Sequence, residues 1–92
     1  MSLPGLDLSG NDIGDGGAKY IANALKIDTS VKKLYLDFNK ISNEGAKTFD
    51  NALAINNTLT DLELIHNKIN QEEDKMIIAS LSNSCDVTLE LL

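Results

Sequence analysis

The amino-acid sequence predicts an α/β solenoid in which a short strand and a helix repeat along the chain. Three observations predict this fold. The pattern LxLxxNxI occurs three times, its copies start 28 residues apart, and helical spacing of apolar residues follows each copy. A strand and helix in so few residues must stack on their copies to bury their apolar sides. We therefore predict a short curved horseshoe arc, with parallel strands on the concave face and helices on the convex face.

The strands are predicted from leucines that alternate with other residues, at 6–8, 34–36 and 62–64. Successive side chains of a strand point to opposite sides, so both leucines of each pair face the core. The helices are predicted from apolar residues three or four apart, the spacing of one helical face. In the first repeat these are Ala18, Ile21, Ala22 and Leu25. Their counterparts are Ala46, Phe49, Ala52 and Leu53, and then Met76, Ile77 and Leu81.

The repeat boundaries follow from this spacing. We expect one domain over residues 1–92, with repeats at about 6–33, 34–61 and 62–88 and a terminal strand at about 89–91. Val87 aligns with Val31 and Leu59 in this register. The third helix begins with charged residues where the others carry Gly-Ala, which predicts looser packing. No polar cap precedes the first repeat, so we expect a fragment of a longer array or self-association through exposed ends that include Leu3, Leu6 and Leu8.

The LxLxxNxI repeat resembles the leucine-rich repeat, specifically the ribonuclease-inhibitor-like subtype, which carries a full helix in each repeat. The resemblance covers residues 6 to about 91. It implies a protein–protein interaction module that binds its partner on the concave strand face. Two alternatives remain open: a regulator resembling the Ran GTPase-activating protein, and a structural segment of a larger array. The repeat also resembles the actin-capping domain of tropomodulin.

Charge narrows the class of partner. The chain has fourteen acidic residues, eight lysines and no arginine, for a net charge of −6. Clustered cations are needed to bind nucleic-acid phosphates, so we expect no nucleic-acid partner. No apolar run is long enough for a membrane span, and we expect no membrane partner. One cysteine permits no internal disulfide, which favours a reducing compartment or indifference to redox, and we expect a cytoplasmic location.

The polar residues are predicted to have structural roles and not catalytic or metal-binding ones. Asn11, Asn39 and Asn67 occupy one repeat position, where we expect each amide to bind the backbone as the chain leaves the strand. His66 and Cys85 are the single histidine and cysteine, so we predict no metal site. No Ser/His/Asp set has a supporting motif, and we predict no cofactor and no enzymatic activity. Asn56-Asn57-Thr58 is a glycosylation sequon that also fits an ordinary return loop.

The candidate binding residues lie between and just after the strand leucines, because these side chains face away from the core. The spacing predicts that Tyr35 lies beside Glu63, Asp37 beside Ile65, and Phe38 beside His66. Exposed aromatic and aliphatic residues among acids are typical of a protein-binding hot spot for a basic partner. The predicted partner-binding residues are Tyr35, Asp37, Phe38, Glu63, Ile65 and His66.

Overall fold

Strands and helices alternate along the chain. A computed structural model describes residues 5–89, and its elements within that range are four strands and three helices. In chain order they are β1 (Gly5–Asp7), α1 (Gly14–Leu25), β2 (Lys33–Tyr35), α2 (Asn43–Leu53), β3 (Asp61–Glu63), α3 (Lys75–Ser84) and β4 (Asp86–Thr88).

The four strands form one parallel sheet in the order β1-β2-β3-β4. Leu6 pairs with Leu34, Leu34 with Leu62, and Leu62 with Val87, so one apolar column runs across the sheet. The helices cover the side of the sheet to which this column points, and α2 contacts both α1 and α3. The predicted solenoid of parallel strands and helices is confirmed.

The core lies between the sheet and the helices and is deepest in the second repeat. Leu34, Leu36, Ile41 and Phe49 are at most 1% exposed. The outer repeats bury less: Leu6, Leu8, Ile13 and Ile69 are partly buried against the same core. In α3 only Leu81 is fully buried, compared with five residues of α2, which confirms the looser packing predicted for the third helix.

The fourth strand corrects the predicted register. It runs over Asp86–Thr88 rather than 89–91, of which residues 90 and 91 lie outside the described part of the chain. The physical reason is the loop before it. Seven residues separate a helix from the next strand in the first two repeats, whereas only Cys85 stands between α3 and β4. Val87 consequently takes the inward strand position of Leu62, and its predicted alignment with Val31 and Leu59 is wrong.

The three asparagines form the predicted ladder behind the sheet. Asn39 is fully buried, and its Oδ1 accepts from the backbone N–H of Asn11 at 2.8 Å while its Nδ2 donates to the Leu8 carbonyl at 2.9 Å. Asn67 repeats these bonds one repeat later, to Asn39 N–H at 3.1 Å and the Leu36 carbonyl at 2.8 Å. The amides of Asn39 and Asn67 therefore each fasten their own turn to the turn of the preceding repeat, whereas the Asn11 amide donates within its own turn.

A second inter-repeat link was not predicted. The Asp15 carboxylate accepts from the backbone N–H groups of Ser42 at 2.7 Å and Gly45 at 3.1 Å, and from the Ser42 hydroxyl. Partial burial alone would raise the pKa of Asp15, but these hydrogen bonds outweigh it and hold that pKa below its ordinary value. Asp15 thus helps to cap the N-terminus of α2 from the neighbouring repeat.

Candidate concave binding site

The candidate residues lie together on two neighbouring strands and the turns that follow them. Tyr35 pairs with Glu63 across β2 and β3. The backbone N–H of Ile65 donates to Asp37 Oδ1 at 2.8 Å. The predicted neighbours are therefore in place, and we call this group the concave site: Tyr35, Asp37, Phe38, Glu63, Ile65 and His66.

Phe38 and His66 are stacked at one end of the concave site. Their ring centroids are 4.4 Å apart with an interplanar angle of 24°. Phe38 is 60% exposed, and His66 is exposed as well. The two rings therefore cover one face of each other, and the rest of the stack is exposed to solvent.

The backbone under these rings has an unusual conformation. Phe38 and His66 have φ angles of 57° and 55°, and Gly10, at the same position of the first repeat, has a φ of 72°. The left-handed region suits glycine and costs about 1–2 kcal/mol for a residue with a side chain. A stacked aromatic pair contributes about 0.5–1.5 kcal/mol, which offsets at most part of the cost at two positions. Fold stability alone therefore does not favour these two side chains.

Tyr35 and Ile65 are more closely packed than the stacked pair. Both are half-buried. A Cβ at Gly5 would lie 3.3 Å from Cε2 of Tyr35, which places the tyrosine ring over the β1 backbone. Gly5 therefore provides the space in which this ring lies against the sheet, and part of the aromatic surface contributes to packing.

Carboxylates of three neighbouring strands give the site its charge. The pKa of Glu63 is raised by a hydrogen bond with the Asp37 carboxyl, by slight burial, and by the negative charges of Asp37 and Asp7. Nearby lysines pair with other acids: Lys33 lies 3.8 Å from Asp61, and Lys40 lies 2.8 Å from Asp12. The electrostatic field at the centre of the site is therefore negative.

The other polar candidates have structural roles. Asn56 is 5% exposed, and its Nδ2 donates to the carbonyls of Leu25 at 2.7 Å and Asp28 at 3.1 Å. The side-chain amide of Asn56, the first residue of the sequon, is therefore hydrogen-bonded within the fold. Burial, followed by the charges of Asp61 and Asp86, raises the pKa of the Cys85 thiol to about 11, so this thiol is a poor nucleophile at neutral pH.

The described residues do not bring together a metal-binding cluster. Across 5–89, no group of three or more His, Cys, Asp and Glu side chains could hold an ion. Within the same range no helix is both long and apolar enough to cross a bilayer.

Sequence reasoning missed the structural importance of Asp15 and Asn56. Each side chain hydrogen-bonds the backbone of a neighbouring repeat. The 28-residue spacing was the signal in the sequence that could have identified them. Asn56 stands one repeat after Asp28, and both accept hydrogen bonds from the residue two positions ahead, at 2.8 Å from Thr58 N–H and 2.7 Å from Ser30 N–H.

The first repeat leaves an apolar cavity at its outer side. The cavity has a volume of about 150 Å³ and lies between the first strand and α1. It is lined by Leu6, Leu8, Ile21, Ala24, Leu25, Asp28, Val31 and Leu34.

Comparisons with known proteins point to one kind of repeat. A family model described as leucine-rich repeat matches residues 5–22 and 28–49. A solved structure of "Leiomodin-1 Actin-Binding Site 2 (ABS2)" is similar to this chain, with a TM-score of 0.83 and 29% sequence identity. The match covers 97% of this chain and 54% of that one, so the chain spans about half the length of its structural neighbour. No curated protein matches this sequence.

Proposed function

We propose that this chain is a leucine-rich repeat protein and acts as a protein-binding module whose partner docks on the concave site. The observation that carries this proposal is the stacked, exposed pair of Phe38 and His66. Both side chains occupy backbone positions that favour glycine, and neither is buried in the fold. Exposed aromatic residues of this kind are frequent binding hot spots.

Actin is the first partner to test. The structural neighbour is named as an actin-binding site of leiomodin-1, and this chain is similar to that neighbour over nearly its whole length. Because the chain spans about half of that structure, the proposal concerns binding alone and not the activity of a longer protein.

Fluorescence anisotropy of labelled protein with purified actin monomers, together with co-sedimentation with filaments, tests this proposal. We expect saturable binding to at least one form, weakened as salt rises, because the concave site is acidic. Failure to bind either form at tens of micromolar actin, with the protein shown to be folded, would exclude actin as the partner.

We infer that the chain acts by binding and not by catalysis. The Asp37 carboxylate accepts a hydrogen bond from the backbone N–H of Ile65, and the Cys85 thiol has a raised pKa. The GTPase-regulator alternative is tested by measuring GTP hydrolysis by purified Ran with and without this chain. Stimulation of hydrolysis would support that alternative instead.

Three further proposals concern the chain as a whole. The full helix in each repeat and the 28-residue spacing of the first two repeats support the ribonuclease-inhibitor-like subtype.

An unpaired cysteine supports a cytoplasmic location. The apolar cavity beside Leu6 supports a second copy, or another repeat of a longer array, stacking on the first repeat.

A further inference from the structure

We propose that the concave site binds an arginine side chain of the partner, with the guanidinium stacked on the Phe38–His66 pair and bonded to the carboxylates of Asp37 and Glu63. This inference rests on the proposed protein-binding function and specifies the chemistry of the partner. It makes the partner an arginine-bearing protein segment.

The exposed face of Phe38 that His66 does not cover supplies a flat surface for a planar cation. The two rings lie 4.4 Å apart and nearly parallel, and Phe38 leaves most of its surface to solvent. A guanidinium group is planar, is weakly hydrated and stacks on aromatic faces, whereas the ammonium of lysine is compact and strongly hydrated. The rings therefore favour arginine over lysine.

The carboxylates supply the matching charge next to the rings. Asp37 immediately precedes Phe38 and is fixed by the backbone N–H of Ile65 at 2.8 Å. Glu63 lies on β3 next to Tyr35, close enough to Asp37 for a hydrogen bond when one of the two carboxyls is protonated, and the negative charges of Asp37 and Asp7 also raise its pKa. A cation placed here would relieve the repulsion among these groups, and the fork of guanidinium donors fits paired carboxylate oxygens.

The arginine of this proposal lies outside the 92 residues of this sequence. These residues include eight lysines and no arginine, so the same 92 residues of a second copy do not supply the guanidinium. Lys33 and Lys40 pair with Asp61 and Asp12 and leave Asp37 and Glu63 to other partners. The chemistry of this site is therefore distinct from self-association at the end of the solenoid.

Nuclear magnetic resonance of isotope-labelled protein tests the inference without knowledge of the partner. The probes are three capped tripeptides, Gly-Arg-Gly, Gly-Lys-Gly and Gly-citrulline-Gly, where citrulline keeps the planar shape of arginine without its charge. We expect the arginine peptide to shift resonances of the concave site and to bind about threefold to tenfold more tightly than either other peptide.

Two variants test the carboxylates and the aromatic ring of the concave site separately. Asp37→Asn with Glu63→Gln keeps an acceptor for Ile65 and should weaken the arginine peptide at least about threefold. Phe38→Gly suits the backbone and should remove the preference for arginine over lysine. The matched control, Glu44→Gln with Glu72→Gln, removes two exposed charges elsewhere and should leave binding unchanged.

Any of four results would overturn the inference. The arginine peptide could bind no more tightly than the citrulline peptide, or no more tightly than the lysine peptide. The resonance shifts could be confined to other surfaces, or be absent. The actin experiment fails or succeeds separately. Actin binding without an arginine response would refute the subsite alone, and an arginine response without actin binding would refute actin alone.

Discussion

Buried side-chain amides hold the turns of this protein together at the scale of single residues. Asn39 uses both ends of its amide on the backbone of the first repeat, where it meets Asn11 and Leu8, and it does so with no exposed surface. Asn11 makes the shorter-range bonds of the same motif, to the carbonyls of Leu8 and Ser9, but is exposed. The same asparagine position of the repeat is therefore buried in the second repeat and exposed in the first.

Replacing Asn39 by alanine is expected to cost about 2–4 kcal/mol of unfolding free energy, because buried backbone groups lose their partners. The same change at Asn11 is expected to cost less than about 1 kcal/mol, since water can replace its bonds. Urea denaturation followed by circular dichroism measures both values. Equal losses at the two positions would contradict the ladder as the source of stability.

Helix starts are coupled between repeats at the scale of elements. Ser42 caps α2 by accepting from Glu44 N–H, and Asp15 of α1 accepts from both Ser42 and Gly45. In the third repeat Asp74 caps α3 within its own repeat, accepting from Ile77 N–H at 3.1 Å. The first two helices are therefore joined by a carboxylate, whereas the N-cap of α3 comes from its own repeat and the side chain of Asn43 bonds only the preceding turn, at Asn70.

Asp15→Asn is expected to destabilise the fold by about 1 kcal/mol at pH 7, because the bonds lose their assistance by charge. The folded pKa of Asp15 lies below its unfolded value, so this contribution is present above the ordinary aspartate pKa and is lost as pH falls through the folded value. Urea denaturation from pH 7 to pH 2.5 should show wild type and variant converging in acid. Asp12→Asn, at an exposed ion pair, is the control and should change stability little. A gap between wild type and Asp15→Asn that is constant across this range would refute the role of the charge.

Gly45 marks where α1 and α2 approach each other. A Cβ at this position would lie 2.5 Å from Cγ2 of Ile41, 2.7 Å from Oδ1 of Asp15 and 3.2 Å from Cβ of Ala18. Gly45→Ala is therefore expected to destabilise the protein by about 1–3 kcal/mol despite the higher helix propensity of alanine. Gly16→Ala in α1, where a Cβ meets nothing within 4 Å, should stabilise by about 0.5–1 kcal/mol. Thermal unfolding of both variants checks the signs, and a stabilising Gly45→Ala would contradict this helix contact.

The elements that follow the strict repeat were predictable, and those that depart from it were not. Periodic leucines and alanines predicted β1 to β3 and the faces of α1 and α2. Periodicity gave no sign that the loop before β4 is reduced to Cys85, because loop length depends on where α3 ends. Neighbours in the concave site followed from strand spacing, whereas the left-handed backbone of Phe38 and His66 depends on the turn geometry and needed the structure.

At the scale of the whole molecule, the arc has one well-covered repeat between two partly covered ones. The second repeat holds the most deeply buried residues, and the first has an apolar cavity on its outer side. A repeat that stacks on a neighbour buries such surface, which supports contact with another repeat at this end.

Analytical ultracentrifugation over a hundredfold concentration range tests this contact. Wild type is expected to associate as concentration rises. Ala24→Glu places a charge in the cavity lining at an exposed helical position, so it should shift the protein toward monomer. Asn23→Glu adds the same charge one residue away and should behave as wild type. A wild type that stays monomeric at all concentrations, or identical behaviour of both variants, would contradict self-association at the cavity.

Whether the concave site is the binding surface is tested most directly by the affinity of a Tyr35→Ala and Phe38→Ala double variant for actin, measured by anisotropy beside wild type. Tyr20→Ala, which removes an aromatic ring that is 77% exposed on α1, is the matched control on the convex face. We expect at least about a tenfold loss of affinity for the double variant, with the fold retained, and no change for the control. Unchanged affinity of the folded double variant, or loss of binding in Tyr20→Ala alone, would contradict the concave site as the binding surface.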